Sequence, residues 1–172
     1  MLPLYMSSAV PLTRAQGEPG RYLFAQYDNV AVAVWLVSAD GLATQEMANF
    51  TDRIVRERDL FSIVHVLESG AGLPTREARD TLVATARAHR EHLVSAGALL
   101  LQPGMVALLM RAFIRGIRTL VRGGVDIQIE QNAAALAAWM APRHTARTGT
   151  RLSASELASL VVDARERAAA QV

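Results

Sequence analysis

The feature that most constrains this chain is the alternation of short, unbroken apolar runs with segments of helical period. Residues 30–37 read VAVAVWLV, residues 61–67 FSIVHVL and residues 98–101 ALLL. Runs without alternating polar positions belong to strands covered on both faces, as in a parallel sheet flanked by helices. Before the first run, residues 22–27 form a β-prone stretch, and the turn dipeptide Asp28-Asn29 joins the two as a hairpin. Thr44 reads as the N-cap of a helix carrying Met47, Phe50, Ile54 and Val55. Thr75 reads as the N-cap of a long helix to about residue 95, with Leu82, Val83, Ala86, Leu93 and Val94 on one side. A third helix spans 105–122 and stops at Gly123-Gly124. Residues 125–129 are a short strand, and 131–140 an alanine-rich helix stopped by Pro142. The order β-β-α-β-α-β-α-β-α over 21–141 implies right-handed crossovers and a mostly parallel sheet with an antiparallel first strand. The expected class is α/β, with about four flanking helices and a further C-terminal one.

The ends read differently. Residues 1–20 contain three prolines and no period, and lack the basic and apolar regions of a secretory signal. They are expected to be a loose leader on a cytoplasmic protein, with the domain covering 21–142. Residues 143–152 read as a basic linker, and 153–172 as an amphipathic helix opened by a Ser153–Glu156 capping box. Its apolar face is Leu157, Leu160, Val161 and Ala164, and Asp163 with Arg167 form an i,i+4 pair. That helix either folds back on the domain or docks on a partner.

Composition excludes several function classes. The 172 residues include no cysteine, so no disulfide, thiolate metal site or cysteine nucleophile exists. No apolar run reaches the roughly 18 residues of a membrane span. All 18 basic residues are arginine, a bias of the kind a GC-rich genome produces, and the net charge is only +2. The distribution is one-sided: residues 1–103 carry 9 Arg against 11 acids, and 104–172 carry 9 Arg against 5. Four of these, Arg111, Arg115, Arg118 and Arg122, recur at +4, +3 and +4 on the third helix, within about 60° of one another. Val106, Leu109, Phe113, Ile117 and Leu120 lie opposite and are expected to face the sheet. The helix contains no acid, so the stripe suits an acidic protein, anionic lipid headgroups or a nucleotide phosphate. Nucleic acid is excluded by scarce aromatics and a net acidic first half.

Three segments carry a resemblance. Ser62 to Arg79 (SIVHVLESGAGLPTREAR) resembles the central strand, glycine-bearing loop and helix start of the SpoIIAA-like group, which includes STAS domains and the bacterial STAS/SEC14-like proteins. Residues 110–115 (MRAFIR) look like the third helix of the SEC14-like branch, and residues 135–140 (ALAAWM) like its closing alanine-tryptophan helix. Together with the element order, the likeness covers about 120 residues. Antagonist-type STAS domains place an Asp-Ser-Ser-Gly-like stretch at the start of the second helix, where a kinase phosphorylates the serine. This chain has Leu73-Pro74-Thr75-Arg76 there, so Thr75 is the one hydroxyl and reads first as an N-cap. Its phosphate form would meet the free N–H groups of a helix start.

Other constellations fall short of chemistry. His89 and His92 stand at i,i+3, without a third ligand, so no metal is expected. Glu68-Ser69-Gly70 lacks the first glycine of a nucleophile elbow, and Gly70-Ala71-Gly72 lacks the third glycine of a dinucleotide loop. Arg79 and Arg90 fall on the apolar side of the second helix and are expected to pair with Glu68 or Asp59, or to hold an anion near the 68–75 loop. No acid/base pair assembles, and no cofactor is implied. The sequence thus points to a non-catalytic regulatory module that docks on an acidic protein through Ser69, Gly70, Gly72, Thr75 and Arg79 with the arginine stripe beside them. The alternative, implied by the SEC14-like resemblance, is a small apolar or lipid ligand in a cavity between sheet and helices. Either reading leaves room for a homodimer.

Overall fold

A computed structural model describes residues 10–121 and 125–171. The strands are β1 (Arg14–Glu18), β2 (Tyr22–Tyr27), β3 (Val30–Trp35), β4 (Phe61–Leu67), β5 (Leu93–Leu100) and β6 (Asp126–Glu130). The helices are α1 (Gly41–Arg58), α2 (Arg76–Ala88), α3 (Gly104–Leu120), α4 (Ala133–Thr148) and α5 (Ala154–Ala170). They build the α/β fold anticipated from the apolar runs: one six-stranded sheet in the order β1-β2-β3-β4-β5-β6. β1 to β3 form an antiparallel meander, and β3 to β6 run parallel.

Consecutive right-handed crossovers between neighbouring strands put α1, α2 and α3 on the same face. Alternate side chains divide accordingly. Phe24, Ala33, Trp35, Ile63 and Ala98 belong to the core under α1–α3, and Leu23, Val32, Val34, Val64 and Leu99 to the core under α4 and α5. The two helix layers pack differently. α4 and α5 lie close to each other and to the central strands, with Ala137, Ala141, Ala164 and Ala168 buried at that contact. α2 packs on α1, and α3 meets the core through Met110, Phe113, Ile114 and Ile117, with Arg87 of α2 donating to the Leu120 carbonyl at 3.2 Å. The first turn of α3 also lacks a side-chain cap, since Pro103 precedes it, whereas Asp40, Thr75, Asn132 and Ser153 cap the others.

Several sequence expectations change. Residues 14–18 of the expected leader are strand β1, held by β2 and by an Arg14–Glu57 ion pair at 2.7 Å. A Cβ on Gly17 would sit 2.2 Å from the carbonyl oxygen of Tyr22, so the edge pairing needs glycine there. The expected linker 143–152 is largely helix, because α4 continues through Pro142 to a left-handed Gly149 (φ 74°). The helix after Thr75 ends at Ala88, and residues 93–97 join β5 instead. Asp40, not Thr44, caps α1; the Thr44 hydroxyl turns back to the Asp40 carbonyl at 2.8 Å. The C-terminal helix folds back on the sheet, with Tyr27 donating to Asp163 at 2.5 Å and Arg165 pairing with Glu68.

Candidate functional site

A chamber lies between α2, α3 and the sheet. It offers ≈ 140 Å³ to the centres of water-sized atoms, within ≈ 1090 Å³ of atom-free space that includes its open mouth. For scale, an engineered apolar cavity of about 150 Å³ stays dry and takes up benzene. Part of the floor is small because Ala96 and Ala98 on β5 stand beside Ile63 and His65 on β4 in register. The roof comes from Leu82 and Ala86 of α2 and from Met110, Phe113 and Ile114 of α3. Among the described residues, no arginine, aspartate or glutamate lines it.

His65 is the polar side chain in the middle of that floor. Trp35 donates its indole N–H to His65 Nδ1 at 3.3 Å, and the rings stack with centroids 6.4 Å apart and an interplanar angle of 11°. An acceptor Nδ1 places the neutral ring's proton on Nε2. Burial pushes the imidazole down to about 4, so it is uncharged at neutral pH.

β3, β4 and β5 run parallel, so their C-terminal ends lie at the same end of the sheet. Large apolar residues follow these strands without cover: Val37 after β3, Leu42 at the start of α1, Leu73 after β4, and Met105 (71% exposed) at the start of α3. Val37 lines the chamber itself, as do Gly72 and Pro74 on either side of Leu73.

The 68–75 loop therefore joins this site in part. Gly72 lies on the chamber wall and donates its N–H to Ser38 Oγ at 3.0 Å. Both loop glycines are there for close packing: a Cβ on Gly70 would come 2.7 Å from the Leu36 carbonyl oxygen, and one on Gly72 2.5 Å from Ser38 Oγ. Ser69 is exposed, and Thr75 accepts from Ala78 N–H at 3.2 Å as the N-cap of α2. Arg79 and Arg90 are exposed rather than aimed at the sheet. Their expected partners are taken, Glu68 by Arg165 and Asp59 by His92 at 2.9 Å.

The arginine stripe is a separate surface. Arg111, Arg115 and Arg118 stand along the free edge of β6, lining two shallow depressions with Ile129, Glu130 and Asn132 or with Ile127 and Gln128. None of the three forms an ion pair among the described residues, and Arg111 Nε is buried without an acceptor. Arg122 lies outside the described residues. The stripe and the 68–75 loop share no pocket, so the single working surface expected from sequence divides into two. The face of α3 turned to the sheet matches the expectation in part: Phe113 and Ile117 pack against the core and Ala107 and Met110 are buried, while Val106, Leu109 and Leu120 are exposed. α3 is apolar over more of its circumference than the sheet covers.

His89 and His92 each take a carboxylate, Asp52 at 2.7 Å and Asp59 at 2.9 Å, and no cluster among the described residues could hold a metal ion. A second buried histidine was not legible from sequence. His144 of α4 contacts Ser62 Oγ through Nδ1 and Asn29 Oδ1 through Nε2, both at 2.9 Å, and Ser62 Oγ lies 2.9 Å from Ser95 Oγ. The arrangement has the connectivity of a Ser-His-Asn relay, but all four residues are buried and none lines the chamber. It ties α4 to β4 and β5 rather than presenting a nucleophile.

Comparison of the chain with protein-family models, with curated proteins and with solved structures finds no match. The site is therefore interpreted from its own chemistry. No helix of the described residues is long and apolar enough to cross a membrane.

Proposed function

We propose that the chain is a non-catalytic binding module that takes a small apolar or lipid-like ligand into the chamber under α2 and α3. The observation that carries this reading is an open-mouthed, largely apolar chamber with no arginine, aspartate or glutamate among its described lining residues. It develops the SEC14-like side of the resemblance noted in the sequence, and the rim of exposed apolar residues at the strand ends supports ligand entry there. Titration with an environment-sensitive apolar dye tests it. One saturable site per chain is expected, accompanied by a change in Trp35 emission in a Trp139→Phe background. No saturable binding sinks the reading.

Docking on an acidic protein is the second reading, and the unpaired guanidiniums of Arg111, Arg115 and Arg118 favour it. Arginine's planar fork matches carboxylates, and the adjacent β6 edge has backbone groups free to pair with an extended segment. The triple change to Glu should abolish capture of an acidic Asp/Glu-rich peptide while leaving dye binding intact. Capture that survives reversal removes the stripe from the mechanism.

A further inference from the structure

We infer that the chamber selects apolar molecules carrying one uncharged oxygen acceptor, such as a ketone, aldehyde or ester, and that His65 Nε2–H donates to that oxygen. This rests on the proposed role of the chamber as a ligand site. The Trp35 indole N–H fixes the tautomer by occupying Nδ1. Nε2 then carries the proton and has no partner among the described residues, although the residue lines the chamber. The ring is only partly buried, so water can reach it in the empty chamber. An occupant that displaces that water without supplying an acceptor leaves the donor unmatched, and one that brings an acceptor binds better.

The other polar side chains of the wall are largely committed. Thr51 donates to the Met47 carbonyl at 2.9 Å, and His89 pairs with Asp52. Thr85 supplies one further hydroxyl from α2. The charge of the ligand follows from the described lining residues: no guanidinium among them faces the space, and His89 is already paired with Asp52. A carboxylate would find no free counter-charge there, at a desolvation cost a neutral carbonyl avoids. The low pKa of His65 agrees, since the ring supplies a donor without a cation.

Heptane, 2-heptanone and heptanoate form a matched series for displacing the dye from the full chain at pH 7.5. The ketone is expected to bind more tightly than the acid. In His65→Phe the affinity ratio of ketone to hydrocarbon should fall roughly 10-fold, the effect of losing one buried hydrogen bond. On the wild-type chain, with ¹⁵N-labelled histidine, the His65 Nε2 resonance should move with the ketone and stay with heptane. That measurement decides the matter even where the variant does not fold. An unmoved resonance, an unchanged ratio in His65→Phe, or tightest binding of heptanoate overturns the inference while leaving the chamber a ligand site. Failure of all three compounds to displace the dye overturns the chamber reading itself.

Discussion

Acidification from pH 7 to pH 4.5 should lower the free energy of unfolding by roughly 2 kcal/mol for each of His65 and His144, approaching about 3 kcal/mol each near pH 4. Burial pushes both imidazoles from an ordinary 6.5 down to about 4, against only a weak opposing pull from Asp28 on His144. Between those values the unfolded chain binds protons that the native chain refuses, so stability falls as pH falls. Carboxylates contribute later. Asp40 and Glu57 are held below their usual range, chiefly by the Ala43 N–H and by Arg14, so their loss comes at lower pH. Urea titrations across this range would show the loss, and His65→Phe should remove about half of it. A midpoint that stays level from pH 7 to pH 4.5 contradicts the burial of these rings.

Leu160→Ala on α5 should cost about 2–5 kcal/mol, because the side chain is fully buried against the sheet. Val162→Ala on the same helix, at a residue 46% exposed, should cost roughly 0.5 kcal/mol or less. Chemical denaturation of the two variants gives the comparison. Equal small effects would mean that α5 does not lie on the domain, and the second core under α4 would lose its outer wall.

Residues that act locally were legible in the sequence. The Thr75 cap, the Ser153–Glu156 capping box and the Asp163–Arg167 pair depend on neighbours within four positions, and all three form. The apolar runs announced β3 and β4 for the same reason. β1 was hidden because RAQGE has no apolar alternation, and its edge position asks for none. The end of α4 was hidden because Pro142 ordinarily stops a helix, whereas here His144, two residues later, is buried and holds the helix to the sheet. The face of α3 was only partly placed, with Phe113 and Ile117 inward as expected and Val106, Leu109 and Leu120 exposed, because its apolar residues exceed what one sheet can cover. The chamber arises from no single segment: Trp35, His65 and Ala98 come from three strands, and only their register brings them together. A signal did exist in the alternating small residues Ala96 and Ala98, both facing α1–α3.

The central claim is that this space, and no other surface, receives the ligand. Ala98→Leu puts a branched side chain on the chamber floor in place of a methyl group, with little expected effect on the core under α4 and α5. Repeating the dye titration on this variant is the most direct test. The chamber reading predicts at least a roughly 10-fold loss of affinity with the thermal midpoint retained, the consequence of overfilling a site about the size of one small ring. Unchanged affinity in a folded Ala98→Leu chain would place the ligand elsewhere and contradict the reading.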